Sequence, residues 1–298
     1  MSGTAAPPDA TAPSVASADA TAPSVASADA TAPSVARPDA TAPSVGTSPA
    51  ADVAAYTLRL ADDALVLAQR LGEWAARGPT IEEDVALLNI GLDLLGQART
   101  LLARVGEADG TGRTEDDLAF QRDERDFVNA QLMELPNGDF GRTMARQLLV
   151  SAYQVPMFAA LSTSTDPTLA AVASKAVKES RYHLDHAASW VVRLGDGTEE
   201  SHRRVQAGLD EVWPYAAELF ETDELLARCV AAGVAADPAP LRERWDATVG
   251  AVLTDAGLDR PRITWQPSGG RRGVHTEHLG HLLAELQHVA RSHPGASW

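Results

Sequence analysis

The stretch 81–105, IEEDVALLNIGLDLLGQARTLLARV, decides the fold. At helical spacing its apolar residues form two stripes. One stripe consists of Ile81, Val85, Leu88, Leu92, Leu95 and Leu102, and the other consists of Leu87, Leu94, Ala98, Leu101 and Val105. Because a helix that is apolar on two faces needs neighbours on both, this helix is predicted to lie inside a helical bundle.

A row of polar residues runs between the two stripes. Asn89, Asp93 and Gln97 follow one another at steps of four and therefore share one line along the helix. Di-iron carboxylate proteins carry ligands on such a line, in the pattern Glu-x-x-His. Residues 93–97 read Asp-Leu-Leu-Gly-Gln instead. The sequence thus provides the place for a metal site without the usual ligands.

The rest of the domain also has the pattern of helices. Apolar periodicity predicts them over 52–74, 114–134, 140–161, 167–194, 198–220 with an interruption near Pro214, 222–236, 238–256 and 274–292. Helix starts are marked by Thr80 with Glu83, Thr114 with Asp117, and Asp166 before a proline. No segment shows sustained strand alternation. The predicted fold is an all-α bundle of antiparallel neighbours with additional C-terminal helices.

The first fifty residues differ from the others. Four copies of DATAPSV begin at Asp9, Asp19, Asp29 and Asp39, and the repeats have no aromatic residue. Such a composition buries too little apolar surface to offset the entropy of ordering. Residues 1–50 are therefore predicted to be a disordered tail, with a binding tail as the alternative, and 51–298 a single domain. The tail lacks the features of a secretory signal.

Charge and cysteine content exclude several classes of function. The net charge is −16, and the tail, with four aspartates and one arginine, accounts for −3 of it. The domain therefore carries −13, which argues against non-specific binding to nucleic acid or anionic membranes. One cysteine, Cys229, excludes an intrachain disulfide and fits a reducing cytoplasm. With no apolar run of eighteen residues, the sequence predicts no membrane span.

Two histidine groups are candidate metal ligands. Glu179 and His183 share a face of the predicted helix 167–194, but Ser180 stands where Glu-x-x-His needs its carboxylate. A buried histidine satisfied by a hydrogen bond is the favoured interpretation. The last helix carries a richer set: His275, Glu277, His278, His281, Glu285 and His288. A solvated or interface face is favoured there over a metal site.

Two further candidates concern nucleophilic and anion chemistry. Cys229 lies in the apolar run LLARCVAAG and is interpreted as a buried structural residue. Arg260, Arg262, Arg271 and Arg272 surround a loop rich in glycine and proline. This basic cluster could bind a phosphate or an acidic partner, or could be a solvated loop.

Residues 56–298 resemble one of the ferritin-like subunits of the bacterial phenylacetyl-CoA epoxidases, the non-catalytic relative of the di-iron subunit in the same complex. The resemblance rests on the blocks EDVALLNIGLDLLGQAR, LAFQRDERDFVN, LPNGDFGRTMARQ, AVKESRYHL and GVHTEHLGHLLAELQ. It implies a ferritin-like helical bundle over nearly the whole domain. The repeat tail lies outside the resemblance.

The resemblance also implies that the metal ligands are lost. The catalytic pattern has D-E-A-G-H-G on its second helix and K-E-E-S-F-H on a later helix. Laid on this chain, its ligand positions fall on Leu94, Gln97, Ser151, Ser180, His183 and either Asp63 or Ala64. At most two of the six keep a ligand, too few to hold two iron ions. No metal or other cofactor is therefore expected in this chain, and di-iron is expected in its partner.

The resemblance thus implies a structural, non-catalytic subunit. Its expected partners are the catalytic di-iron subunit, a reductase and small accessory subunits, with phenylacetyl-CoA near the interface. His275, Glu277, His278, Arg271 and Arg272 are the candidate contact residues. Two alternatives stay open. One is a free-standing metal-dependent oxidase using His183, His275, His278 and His281, and the other is a ferritin-like storage or structural protein.

Overall fold

A computed structural model describes residues 48–296, and the predicted disordered tail, apart from its last residues, lies outside them. The described residues contain ten α-helices and no strand. The helices are α1 Pro49–Gly72, α2 Ile81–Ala108, α3 Glu115–Phe120, α4 Gln131–Glu134, α5 Phe140–Leu161, α6 Pro167–Gly195, α7 Glu199–Val212, α8 Glu224–Ala231, α9 Pro238–Asp255 and α10 Glu277–Ser292. The all-α prediction is confirmed.

Two long hairpins form the centre of the fold. α1 packs along α2, α5 packs along α6, and the two hairpins meet where α2 contacts α6. This is the four-helix arrangement of ferritin-like proteins. α7 and α9 cover α5, α8 and α10 contact α1, and Trp245 of α9 donates a hydrogen bond to the Leu149 carbonyl at 2.9 Å. The additional C-terminal helices are therefore part of the same core.

Helix starts follow the local sequence signals. Asp166 accepts hydrogen bonds from the N–H groups of Thr168 and Leu169, both at 3.0 Å, and Pro167 begins α6. A proline at this position loses no helical hydrogen bond, because the first N–H groups of a helix have no partner within it. The Thr80 hydroxyl caps α2 by accepting from the Glu83 N–H at 3.4 Å, but the Glu83 carboxylate bonds to His186 and does not complete the predicted capping box.

The prediction of one helix over 114–134 is wrong. α3 ends at Phe120, a 3₁₀ turn covers Glu124–Asp126, and extended backbone leads to the short α4. Two carboxylates of α1 take the N–H groups that a helix would use: Asp62 accepts from Val128 at 2.9 Å, and Asp63 accepts from Ala130 at 2.8 Å. Charge-assisted hydrogen bonds to buried carboxylates replace the helical ones.

The prediction that α2 is buried on both apolar faces is also wrong for the described chain. The second stripe, Leu87 to Val105, is fully buried against the bundle. Of the first stripe only Leu102 is buried, while Ile81, Val85, Leu88, Leu92 and Leu95 are exposed. The reason is topological, since α1, α3 and α6 lie around the buried side of α2 and no described element lies over its outer side.

α2 is also the one helix among residues 48–296 that is long and apolar enough, by length and composition, to cross a membrane. Within its most apolar window, 44% of the residues are buried inside the chain. Core helices of helical bundles pass the same test.

Candidate functional site

Three polar pairs join α2 to α6. Nε2 of His186 lies 2.8 Å from a Glu83 carboxylate oxygen, and Nε2 of His183 lies 3.1 Å from a carboxylate oxygen of Asp93. Further along, the Gln97 amide donates to Glu179 at 2.9 Å. Two members of the predicted polar row therefore face α6.

His183 is the only candidate ligand that keeps the residue type of the catalytic pattern on α6. Its side chain is 1% exposed, and burial lowers the pKa of its imidazole, against the opposing effect of the Asp93 carboxylate. Burial therefore favours the neutral ring, and the tautomer with its proton on Nε2 donates it to the Asp93 carboxylate. This matches the predicted buried histidine satisfied by a hydrogen bond.

The other positions carried over from the catalytic pattern are buried, but their side chains have weak metal-ligand atoms or none. Leu94, Ser151 and Ser180 are each at most 1% exposed, and Gln97 is 4% exposed. Ser180 Oγ and Gln97 Oε1 make no hydrogen bond to any of the residues 48–296. Neutral hydroxyl and amide oxygens do not balance the charge of two iron ions, which takes several carboxylates. The donor set at these positions does not fit a di-iron centre.

Asp63, the remaining carboxylate of that pattern, is held by a cation of the chain itself. The Arg271 guanidinium donates to both of its oxygens, at 2.9 and 2.7 Å, in a bidentate pair. The Asp63 partner raises the pKa of Arg271 despite the burial of the guanidinium, so the arginine stays charged. With the Ala130 N–H as third donor, Asp63 has its charge neutralised without a metal.

His275 belongs to a second buried pair near α4. Its Nδ1 lies 2.7 Å from Glu134, its Nε2 lies 2.8 Å from the Phe127 carbonyl, and both side chains of the pair are 0% exposed. Burial alone would lower the pKa of His275, but Glu134 and the carbonyl outweigh it and raise the pKa. Both ring nitrogens face acceptors, which requires the doubly protonated ring.

The five predicted contact residues do not form one surface group. Arg271 and His275 are bound inside the chain, as described above. Arg272 and Glu277 are exposed, and the carbonyl of His278 accepts from Arg70 at 3.1 Å. Contact of these residues with a partner stays a prediction, and the exposed Arg272 and Glu277 are the members best placed to make it.

The histidines of the alternative oxidase lie apart. His183 lies between α2 and α6, His275 contacts α4, and His281 is exposed on α10. Among residues 48–296, no group of three or more histidine, cysteine, aspartate or glutamate side chains is arranged to hold a metal ion. Cys229 is buried, and its Sγ lies 3.6 Å from the Asp52 carbonyl, as expected for a structural cysteine.

Sequence reasoning missed the buried arginines. Arg122 is 6% exposed and donates to Asp62 at 2.9 Å, although the surrounding sequence 121–126 is nearly all charged and is typical of a solvated or partner-binding face. The sequence signal for these buried arginines was the adjacent Asp62–Asp63 pair beside an apolar stripe, because two buried carboxylates are stabilised by cationic partners.

The chain matches known proteins over nearly all of this fold. A family model described as Phenylacetic acid catabolic protein matches residues 40–298. The chain belongs to this family. It is also 49% identical over 246 residues to a protein of Escherichia coli strain K12, the component of 1,2-phenylacetyl-CoA epoxidase that is designated by the letter C. That alignment covers 83% of this chain and 99% of the relative, so it confirms the resemblance found in the sequence.

Proposed function

We propose that this chain is the structural, non-catalytic subunit of a multicomponent phenylacetyl-CoA epoxidase in aerobic phenylacetate catabolism. The family and the 49% identity to an epoxidase component, over 99% of that relative, support the assignment to this complex. The residue types at the ligand positions of the catalytic pattern support the non-catalytic role.

The main support for the proposal is the set of residues at the metal-ligand positions in the bundle centre. Leu94 fills a ligand position with a buried apolar side chain, and Ser180 fills another with a hydroxyl. Asp63, the carboxylate at or beside a further ligand position, is neutralised by Arg271. Leu94 and the Asp63–Arg271 pair stabilise the bundle without a metal, because apolar volume is filled and buried charges are paired.

In this proposal the oxygenation reaction takes place in the catalytic subunit. The di-iron centre of the catalytic subunit would supply the oxygen chemistry that converts the ring of phenylacetyl-CoA to its epoxide, using O2 and electrons from NADPH through a reductase. This chain would stabilise the catalytic subunit's fold and help to position the reductase or the acyl-CoA. The complex would work in the cytoplasm.

Co-expression with the catalytic subunit tests the proposal. At micromolar concentration the two proteins are expected to elute together from a sizing column. Independent elution of the two proteins would refute the proposal.

Metal analysis separates this function from that of a metal-dependent oxidase. The isolated chain is expected to carry iron and manganese far below one equivalent, and the purified complex to carry iron in the catalytic subunit. His183→Ala is expected to leave the metal content of the complex unchanged. Near-stoichiometric metal in the isolated chain, lost in His183→Ala, would favour the oxidase.

A further inference from the structure

The outer face of α2 exposes a continuous apolar stripe. Its members are Ile81 (74% exposed), Val85 (54%), Leu88 (36%), Leu92 (63%) and Leu95 (39%). Steps of three and four place them on one side of the helix, over about 21 Å of its length. Single exposed apolar residues are common on protein surfaces, but a contiguous patch of this kind marks an interaction site.

An apolar groove lies beside this stripe. Its volume is about 410 Å³, and its walls include Leu65 of α1, Phe120 of α3 and Leu286 of α10, together with Leu88, Leu92 and Leu95 of the stripe. A groove bordered by a row of exposed leucines is the shape that receives the apolar face of an amphipathic helix, with successive side chains inserted one turn apart.

Gly96 leaves open space on the outer face of α2 beside the stripe. It lies in the middle of α2 and is exposed, and a Cβ atom built on it would meet nothing within 4 Å. Gly91 differs, because a Cβ there would lie 3.5 Å from the Ala68 carbonyl of α1. Glycine weakens a helix interior relative to alanine. No described neighbour requires glycine at 96, and the missing side chain leaves room for another backbone to approach α2 there.

The charges around the stripe indicate the chemistry of the occupant. Glu82 is fully exposed at the start of α2, and the Asp93 side chain, although bound to His183, is 37% exposed beside the stripe. Arg99 is paired with Glu115 and Lys175 with Glu179, so these two nearby cations are already compensated. The chain as a whole carries −16. A second copy or an anionic membrane would meet like charge, whereas a basic flank would be attracted.

We propose that the outer face of α2, with the adjoining groove, docks an amphipathic helix of a different protein, whose apolar face is flanked by lysine or arginine. Its assignment to the catalytic subunit rests on the proposed function. The groove takes the large apolar side chains of that helix, and Gly96 is the point of closest backbone approach. The stripe that looked like a second buried face in the sequence is then buried between two proteins.

Binding of the full-length chain to the purified catalytic subunit tests this proposal, with Kd measured by titration calorimetry. Leu92→Lys is expected to raise Kd about ten- to hundredfold, as for a central residue of an interface. Gly96→Leu adds bulk where the chain has open space and is expected to weaken binding similarly. Ile263→Lys, at a 38% exposed position in the C-terminal loop, is the matched control with unchanged Kd. Circular dichroism establishes that all three variants fold.

The outcomes separate this proposal from the proposed function. If wild type binds and both α2 variants bind equally well, the docking face is overturned and the proposed function stands. If wild type does not bind, both are overturned. Weaker binding as salt rises from about 50 to 500 mM supports the basic flank, and stronger binding overturns it. Self-association, or flotation with anionic vesicles, that is lost in Leu92→Lys would assign the face to a second copy or to a membrane instead.

Discussion

Replacing His275 by alanine tests whether the buried histidine–glutamate pair holds the C-terminal region on the bundle. In the folded chain His275 bridges Glu134 of α4 and the Phe127 carbonyl, and the next residue, Thr276, donates its N–H to the same carboxylate at 2.6 Å. Thr276 precedes α10 directly. The substitution therefore removes the cation and one hydrogen bond from a carboxylate that stays fully buried.

The expected loss of unfolding free energy is about 3–5 kcal/mol, the cost of removing one partner of a buried ion pair. The larger part of it comes from the uncompensated charge of Glu134, since the pair has 0% exposed side chains on both members. His288→Ala is the matched control, because His288 is exposed on the same C-terminal helix. A surface change of this kind is expected to stay within about 0.5 kcal/mol.

Urea titrations followed by far-UV circular dichroism and by tryptophan fluorescence measure both variants. Because the folded-state pKa of His275 lies above the ordinary 6.5, its contribution is fully present below about pH 6.5 and is lost as pH rises through the folded pKa. His275→Ala should therefore lose less stability than wild type on the alkaline side. If His275→Ala lowers the free energy of unfolding by less than about 1 kcal/mol at pH 6 and leaves its pH dependence unchanged, the ion-pair reasoning is refuted.

Three further predictions concern the helices of the bundle. Gly106→Ala should destabilise the chain by more than about 1 kcal/mol, because its Cβ would lie 1.9 Å from the Arg113 carbonyl oxygen. In the same urea titration, Gly96→Ala should stabilise the isolated chain by about 0.5–1 kcal/mol, because a Cβ there meets open space and alanine favours the helix. Equal effects of the two changes would contradict the packing described for α2. His183 has a lowered folded-state pKa, so its contribution to the free energy of unfolding is present above about pH 6.5 and is lost as pH falls. His183→Asn should therefore flatten the acid side of the profile of stability against pH. A profile identical to that of wild type would show that the ring is not buried in its neutral form. Leu94→Ala should lower the free energy of unfolding by about 2–5 kcal/mol in thermal and urea unfolding, because it leaves a cavity at a buried position of α2. A loss under about 1 kcal/mol would mean that the leucine does not fill the core there.

The long helices were predictable because their causes are local. The caps of α2 and α6, the proline at the start of α6 and the apolar periodicity of α1, α5 and α9 act within a few residues of each other along the chain. The residue types at Leu94, Gln97 and Ser180 were equally readable, whereas the loss of metal ligands at these positions, which the resemblance implies, stays a prediction.

The segment 114–134 was not predictable in the same way. Its residues have helical caps and spacing, but Asp62 and Asp63 of α1, more than sixty residues away, bind the N–H groups of Val128 and Ala130. Local propensity is worth only tenths of a kcal/mol per residue, so buried charge-assisted hydrogen bonds outweigh it. The same tertiary contacts bury Arg271 and His275, which the sequence placed on a surface.

The sequence alone determined the two apolar stripes of α2 and the polar row between them, because hydrophobic periodicity is a property of the residues. The tertiary structure decided which stripe is buried by the chain itself. α1 and α6 cover Leu87, Leu94 and their companions, and no described helix covers Val85 or Leu92. The sequence identifies an apolar face of a helix, but only the arrangement of the neighbouring helices determines whether that face is buried within the chain or remains exposed.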